Sequence, residues 1–194
     1  MTEFSGQRIL PAVKTVKQFE KLLGSRYEYG VFLDTHIAQL KNLYAMAAAK
    51  GKKMFLHADL VQGLKSDEYG TEYLCQEIRP YGIISTKSGV IQKARQKGVL
   101  AIQRIFLLDT MALEKSYALL EKTKPDYIEV LPGALPDMIG EVKARSGLPV
   151  FAGGLIRTVR DVDNAINAGA AAVTTSNEEL FKIYAGGAGR GTQQ

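Results

Sequence analysis

Residues 151–180 read FAGGLIRTVRDVDNAINAGAAAVTTSNEEL, and the order of elements in this stretch decides the fold. A short apolar run, Pro149 to Ala152, leads into Gly153-Gly154. An amphipathic segment from Val159 to Ala168 follows, with Val162, Ala165 and Ile166 on one face at i, i+3 and i+4. Gly169 closes that segment, and a second apolar run, Ala172 to Thr175, comes next. A strand, a helix and a strand joined this closely make a parallel pair with a right-handed crossover.

The same alternation runs outward to both ends of the chain. Further strands are predicted at Arg8 to Val13, Gly30 to Leu33, Lys53 to Ala58, Gly82 to Ser85, Val99 to Phe106 and Tyr127 to Leu131. Helices are predicted at His36 to Lys50, Asp67 to Arg79 and Ala112 to Lys122. Gly24, Gly51, Gly98, Gly147 and Gly169 each stand just before a strand, where a left-handed residue ends a helix at least cost as glycine. About eight such units close into a single-domain α/β fold, the (β/α)₈ TIM-type barrel, compact and with short loops. An open doubly wound sheet is the competing architecture. The barrel is expected over residues 1–184 and a flexible Gly-rich tail over 185–194.

Composition agrees with a soluble domain. The 194 residues are 46% hydrophobic and 23% charged, with a net charge of +5 and one cysteine. Cys75 cannot form an internal disulfide, and no Cys/His spacing suits zinc. The beginning of the chain lacks a basic segment followed by an apolar one, and no apolar run approaches the ~18 residues of a membrane span. These features predict a cytoplasmic protein with no membrane partner. The basic balance permits an anionic partner.

In a barrel, the loops after strands seven and eight often bind phosphate, because glycine lets the backbone approach the anion and small polar side chains donate to it. Gly153, Gly154, Thr175, Ser176 and Asn177 are therefore the phosphate candidates. The bland alternative is a tight turn at the glycines and a helix cap at Ser176 or Asn177. Other strand ends carry Asp34, His57, Asp59, Arg104 and Glu129. His57 and Asp59 share the parity of Phe55, which points both at the barrel mouth. Asp34 or Asp59 could equally cap a helix, and Arg104 and Glu129 could simply pair with each other. Asp34, Asp59 and Glu129 together could hold Mg²⁺, although no metal ligand is assigned. No nucleophile elbow, reactive cysteine or H-E-x-x-H motif is present.

The blocks DTHIAQLK (34–41), KKMFLHADLVQGLKSDEYGTEYLCQ (52–76), GIISTK (82–87), AIQRIFLLDT (101–110), PDYIEVLPG (125–133), FAGGLIRT and AVTTSN resemble, in order, the glycerol-3-phosphate-responsive antiterminator family of bacterial glycerol operons. The resemblance covers residues from about 7 to about 184. It implies a (β/α)₈ barrel that takes sn-glycerol 3-phosphate as its effector, uses no cofactor, and acts on leader mRNA to prevent termination ahead of glycerol-metabolism genes. Asp34, His57, Asp59, Arg104 and Glu129 then become candidates for the glycerol hydroxyls. Where phosphate-binding barrel enzymes commonly carry Gly-Ser after strand eight, this chain has Ser176-Asn177. The competing class is a phosphate-ester-processing barrel such as a glycerophosphodiesterase, and homo-oligomerisation is left open.

Cations recur at or just past helix C-termini: Lys21, Arg26, Lys50, Lys52, Lys53, Arg79, Lys93, Arg95, Lys97, Lys122, Lys124, Lys143 and Arg145. All belong to the barrel face opposite the ligand. Lys93, Arg95, Lys97, Lys52 and Lys53 are the RNA candidates. Compensation of helix dipoles accounts for the same pattern without a partner.

Overall fold

A computed structural model describes residues 3–185. Eight parallel strands form one closed barrel: β1 (Ile9–Val13), β2 (Tyr29–Phe32), β3 (Lys53–His57), β4 (Gly82–Ser85), β5 (Leu100–Phe106), β6 (Tyr127–Leu131), β7 (Val150–Gly153) and β8 (Ala172–Thr175). Each strand pairs with the next, and β8 returns to β1 through Ile9 opposite Val173. The open sheet is thereby excluded. The helices are α1 (Val16–Leu23), α2 (Ile37–Ala49), α3 (Glu68–Tyr73), α4 (Ser88–Gln96), α5 (Thr110–Thr123), α6 (Pro136–Ser146), α7 (Val159–Asn167) and α8 (Glu178–Ala185). No helix among the described residues is long and apolar enough to cross a membrane. The expected tail, apart from Ala185, which ends α8, lies outside the described residues.

Strand parity splits the apolar residues into two cores. Ile9, Met54, Leu56, Ile83, Ile105, Val130 and Val173 face outward and pack under the helices, while Leu10, Val31, Phe55, Ile84, Ile102 and Phe151 fill the barrel. At the N-terminal end a short turn, Glu3–Gly6, drops the Phe4 ring into the opening. Phe4 lies 5.3 Å from Tyr29, 6.1 Å from Phe55, 5.6 Å from Tyr127 and 5.3 Å from Phe151, ring centre to ring centre. The barrel is a packed core closed at that end.

Three local expectations are corrected. The helix expected over Asp67 to Arg79 is α3 followed by a π turn, Leu74–Ile78, which ends where Arg79 turns left-handed at φ 54°. Gly51, Gly98, Gly147 and Gly169 do take positive φ, but Gly24 has φ −81° and closes α1 with right-handed geometry. The third strand stops at His57, because Ala58–Leu60 coil into a 3₁₀ turn. Parity therefore fails to carry over from Phe55 to Asp59.

Candidate functional site

The C-terminal ends of the strands surround a pocket of about 460 Å³. Its floor is built by β5, β6 and β8, whose register sets Arg104 opposite Glu129 and whose inward positions add Thr174. Arg104 Nε donates to Glu129 Oε2 at 2.7 Å, and Thr174 Oγ1 donates to Oε1 at 2.7 Å. His57 Nε2 stands 3.7 Å from Glu129 Oε2, near enough for charge but too far for a hydrogen bond. The side chains of His57 and Glu129 are 1% exposed, that of Arg104 16%. Burial pushes the Glu129 carboxyl up, but the proximity of His57 and the Arg104 charge outweigh it and hold it at about 2. The ion pair weighed at the sequence level is thus present, with His57 beside it.

A buried carboxylate held that low has a consequence for acid stability. Its folded pKa lies below its ordinary value of 4.5, so the stabilisation is complete above about 4.5 and disappears as the pH falls toward 2. Urea denaturation across that window is expected to show the parent protein losing stability more steeply than Glu129→Gln. Parallel curves for the two proteins would remove Glu129 as the group responsible.

Asp59 makes a different set of contacts. It accepts hydrogen bonds from Ser66 Oγ at 2.8 Å, Ser85 Oγ at 2.5 Å, Thr86 N at 2.7 Å and Thr86 Oγ1 at 2.8 Å. Burial raises its pKa, but these donors prevail and lower it. Asp59 fastens the loops after β3 and β4 together and does not line the pocket on the Glu129 side. Asp34 does line that pocket, exposed and left-handed at φ 49°. The cap of α2 is His36, which accepts from Ala38 N at 3.1 Å, so neither aspartate caps a helix. Among the described residues no group of three His, Cys, Asp or Glu side chains could hold a metal ion, so Asp34, Asp59 and Glu129 do not converge as a Mg²⁺ site.

The five phosphate candidates also separate. Gly153 is the last residue of β7, and a Cβ there would lie 2.5 Å from Thr174 Oγ1 and 3.0 Å from Glu129 Oε1. Its glycine is required by the floor of the pocket itself. Gly154, at φ 75°, and Ser176 line the wall. Thr175 also lines the pocket, with its Oγ1 donating to Ile156 O and accepting from Asn177 N. Asn177 lines the pocket but caps α8, accepting from Glu179 N at 2.9 Å and Leu180 N at 3.4 Å. Two cations that sequence reading passed over join this wall: Lys14, one residue past β1, and Arg157. Arg157 stands inside the quoted FAGGLIRT block, and Lys14 follows the first strand, an end at which no candidate was named. Thr35, buried beside Asp34, has a hydroxyl without a hydrogen-bond partner among the described residues.

The RNA candidates lie at the opposite end of the barrel and all have intramolecular partners. Lys97 bonds to Glu72, and Lys93 stands 3.9 Å from the same carboxylate. Arg95 bonds to Lys124 O and lies 3.8 Å from Asp126. Lys53 pairs with Glu28 at 2.7 Å, while Lys52 donates to the carbonyls of Ser25 and Tyr27 at 2.6 and 2.8 Å.

A closed parallel barrel with a cation-rimmed pocket at the C-terminal ends of its strands is a TIM-type (β/α)₈ protein. The chain belongs to the glycerol-3-phosphate responsive antiterminator family, whose model matches residues 9–181. It is 32% identical over 175 residues to the uncharacterized protein YgcP of Escherichia coli (strain K12), covering 90% of this chain and 92% of that protein. The structure is similar to that of the glycerol uptake operon antiterminator regulatory protein from Listeria monocytogenes str. 4b F2365, with TM-score 0.90 and 49% identity over 93% of this chain and 97% of that one. A glycerol uptake operon antiterminator-related protein from Thermotoga maritima MSB8 is similar at TM-score 0.79 and 27% identity, covering 91% and 98% of the two chains.

Proposed function

We propose that this protein is a cytoplasmic sensor that binds sn-glycerol 3-phosphate in the C-terminal pocket and, in response, acts on the leader mRNA of glycerol-metabolism genes as an antiterminator. The observation that carries the reading is the division of the pocket into two chemistries. One wall offers Lys14, Arg157, Ser176 and the small Gly154, which suit a phosphate. The floor offers the carboxylate of Glu129, already oriented by Arg104 and Thr174, together with Asp34 at the rim, and these suit hydroxyl donors. Family membership supports both the effector and the regulatory role. On this reading the polar residues recognise the ligand and break no bond.

Calorimetry with two ligands and one variant tests it. Glycerol 3-phosphate is expected to bind, glycerol to bind far more weakly, and the double variant Lys14→Gln/Arg157→Gln to lose about tenfold or more in affinity, since hydrogen bonds to charged groups contribute ~1.5–3 kcal/mol. Gly153→Val is unsuitable for this purpose because it strikes Thr174 and Glu129 directly. Equal binding of glycerol and glycerol 3-phosphate would refute the phosphate wall. Hydrolysis of a glycerophosphodiester by the purified protein, lost in Glu129→Ala, would establish the enzyme instead.

A further inference from the structure

At the N-terminal end of the barrel, a groove of about 530 Å³ runs between α2 and the π turn that follows α3. Its walls include Lys41, Tyr44, Lys52, Lys53, Arg79 and Tyr81. Two of these cations are matched by carboxylates, Lys41 by Glu77 and Lys53 by Glu28. Lys52 and Arg79 are not, and neither is the exposed Lys50 at the C-cap of α2, the helix that forms one wall: among the described residues none of the three forms an ion pair. Arg79 is exposed, and its only hydrogen bond within the described residues runs from Nε to Gln76 O, so the terminal guanidinium nitrogens point to no internal acceptor.

We propose that this groove is the contact for single-stranded RNA, with Lys50, Lys52 and Arg79 on successive backbone phosphates and the half-buried Tyr81 beside a base. The inference rests on the antiterminator reading and gives that reading a surface. Three observations point here and away from the cluster on α4. Lys93 and Lys97 share the Glu72 carboxylate, and Arg95 faces Asp126, so a phosphate arriving there must displace an existing partner. Lys50 and Arg79 have no carboxylate to give up, and Lys52 is held by two backbone carbonyls and by no acidic side chain. Secondly, the groove combines cations with two tyrosines, and aromatic rings beside a basic track are what single strands use for stacking without base-specific contacts. Lys53, 5.7 Å from the ring centre of Tyr81, adds positive charge over one of them. Thirdly, the volume lies within the range of pockets that hold small ligands, enough for one nucleotide to enter.

The test compares full-length parent protein with two variants on one probe, a labelled transcript of a glycerol-operon leader, over a range of salt concentrations and with glycerol 3-phosphate present. Lys50→Gln/Arg79→Gln removes one cation of the groove wall and one at the C-cap of α2 and leaves Lys52 on its carbonyls, so that folding is preserved; a melting curve checks this. Each backbone contact to a single strand contributes ~0.7 to the slope of log K against log salt, so this variant is expected to flatten the slope by about 1.4 and weaken binding about tenfold. Lys93→Gln/Arg95→Gln/Lys97→Gln is expected to change neither. If the parent binds and the α4 variant, but not the groove variant, loses affinity, the groove assignment is overturned while the antiterminator reading stands. If the parent retains no leader RNA at any salt concentration, with glycerol 3-phosphate bound, the reading itself fails. Photocrosslinking of the transcript to Tyr81 in the parent protein supplies a second readout independent of substitution, and a crosslink confined to the C-terminal mouth would also overturn the assignment.

Discussion

Glu129→Ala is expected to destabilise the protein by about 3 kcal/mol or more, the lower end of the range for breaking a buried ion pair. The cost comes from what is left behind. Arg104, with its side chain 16% exposed, would keep its charge in the barrel mouth without a carboxylate, and the Thr174 hydroxyl would lose its acceptor. Glu129→Gln retains the shape and an acceptor for Thr174, so its effect at neutral pH is expected to be smaller. The double variant Glu129→Ala/Arg104→Leu removes the stranded cation and should recover part of the loss, giving a coupling well outside the additive error of ~0.5 kcal/mol. Chemical denaturation of the parent, Glu129→Ala, Arg104→Leu and the double variant decides the matter. Additive, sub-kilocalorie effects would mean that the pair is solvated and contributes little to the fold.

The second large effect is expected at the other end of the barrel. Phe4 is 6% exposed and touches four aromatic rings, one from each of β2, β3, β6 and β7. Phe→Ala in a core costs ~3–5 kcal/mol through lost transfer energy and the cavity left behind. Phe4→Ala is accordingly expected to lower the melting temperature by about 6–20 °C, at ~2–4 °C per kcal/mol for a domain of this size. The affinity for glycerol 3-phosphate should be unaffected, because the plug and the pocket are separated by the middle layer of Val31, Phe55, Ile84 and Phe151. A variant that melts with the parent would show that the turn does not seal the barrel in solution.

These two residues differ in how far the sequence betrays them. Glu129 was legible: a charge in the run YIEVL, in a strand otherwise apolar, needs a partner, and Arg104 in AIQRIF offered one. Phe4 was not, since it precedes the first predicted strand and nothing local distinguishes a plug from a frayed end. The eight strands were readable because parallel strands covered by helices become continuous apolar runs, and three matched to the residue and the other five within one position at each end. Asp59 was misdirected because alternation holds only while the backbone stays extended, and the 3₁₀ turn at Ala58 ends it. Asn177 was read as a phosphate ligand and Ser176 or Asn177 as a cap; the structure gives the cap to Asn177 and leaves Ser176 facing the pocket. The cations past the helix ends were visible as a pattern, but their partners were not. Glu72, Glu28 and Asp126 come from other segments, and only the closed barrel brings them within reach.

The hydrogen bonding of β1 to β8 also governs how the chain can be made. Ile9, Leu10 and Pro11 leave the ribosome long before their partners Val173, Thr174 and Thr175, which come almost at the end of the described residues. Until those arrive, β1 presents an unpaired edge and the inward side chains of the first strands have no opposite wall, a state that invites association with other nascent chains. Closure is a long-range event whose search grows with the length of chain between the partners. A circular permutant that opens the barrel elsewhere would shift this waiting period to a different pair of strands without altering the finished ring.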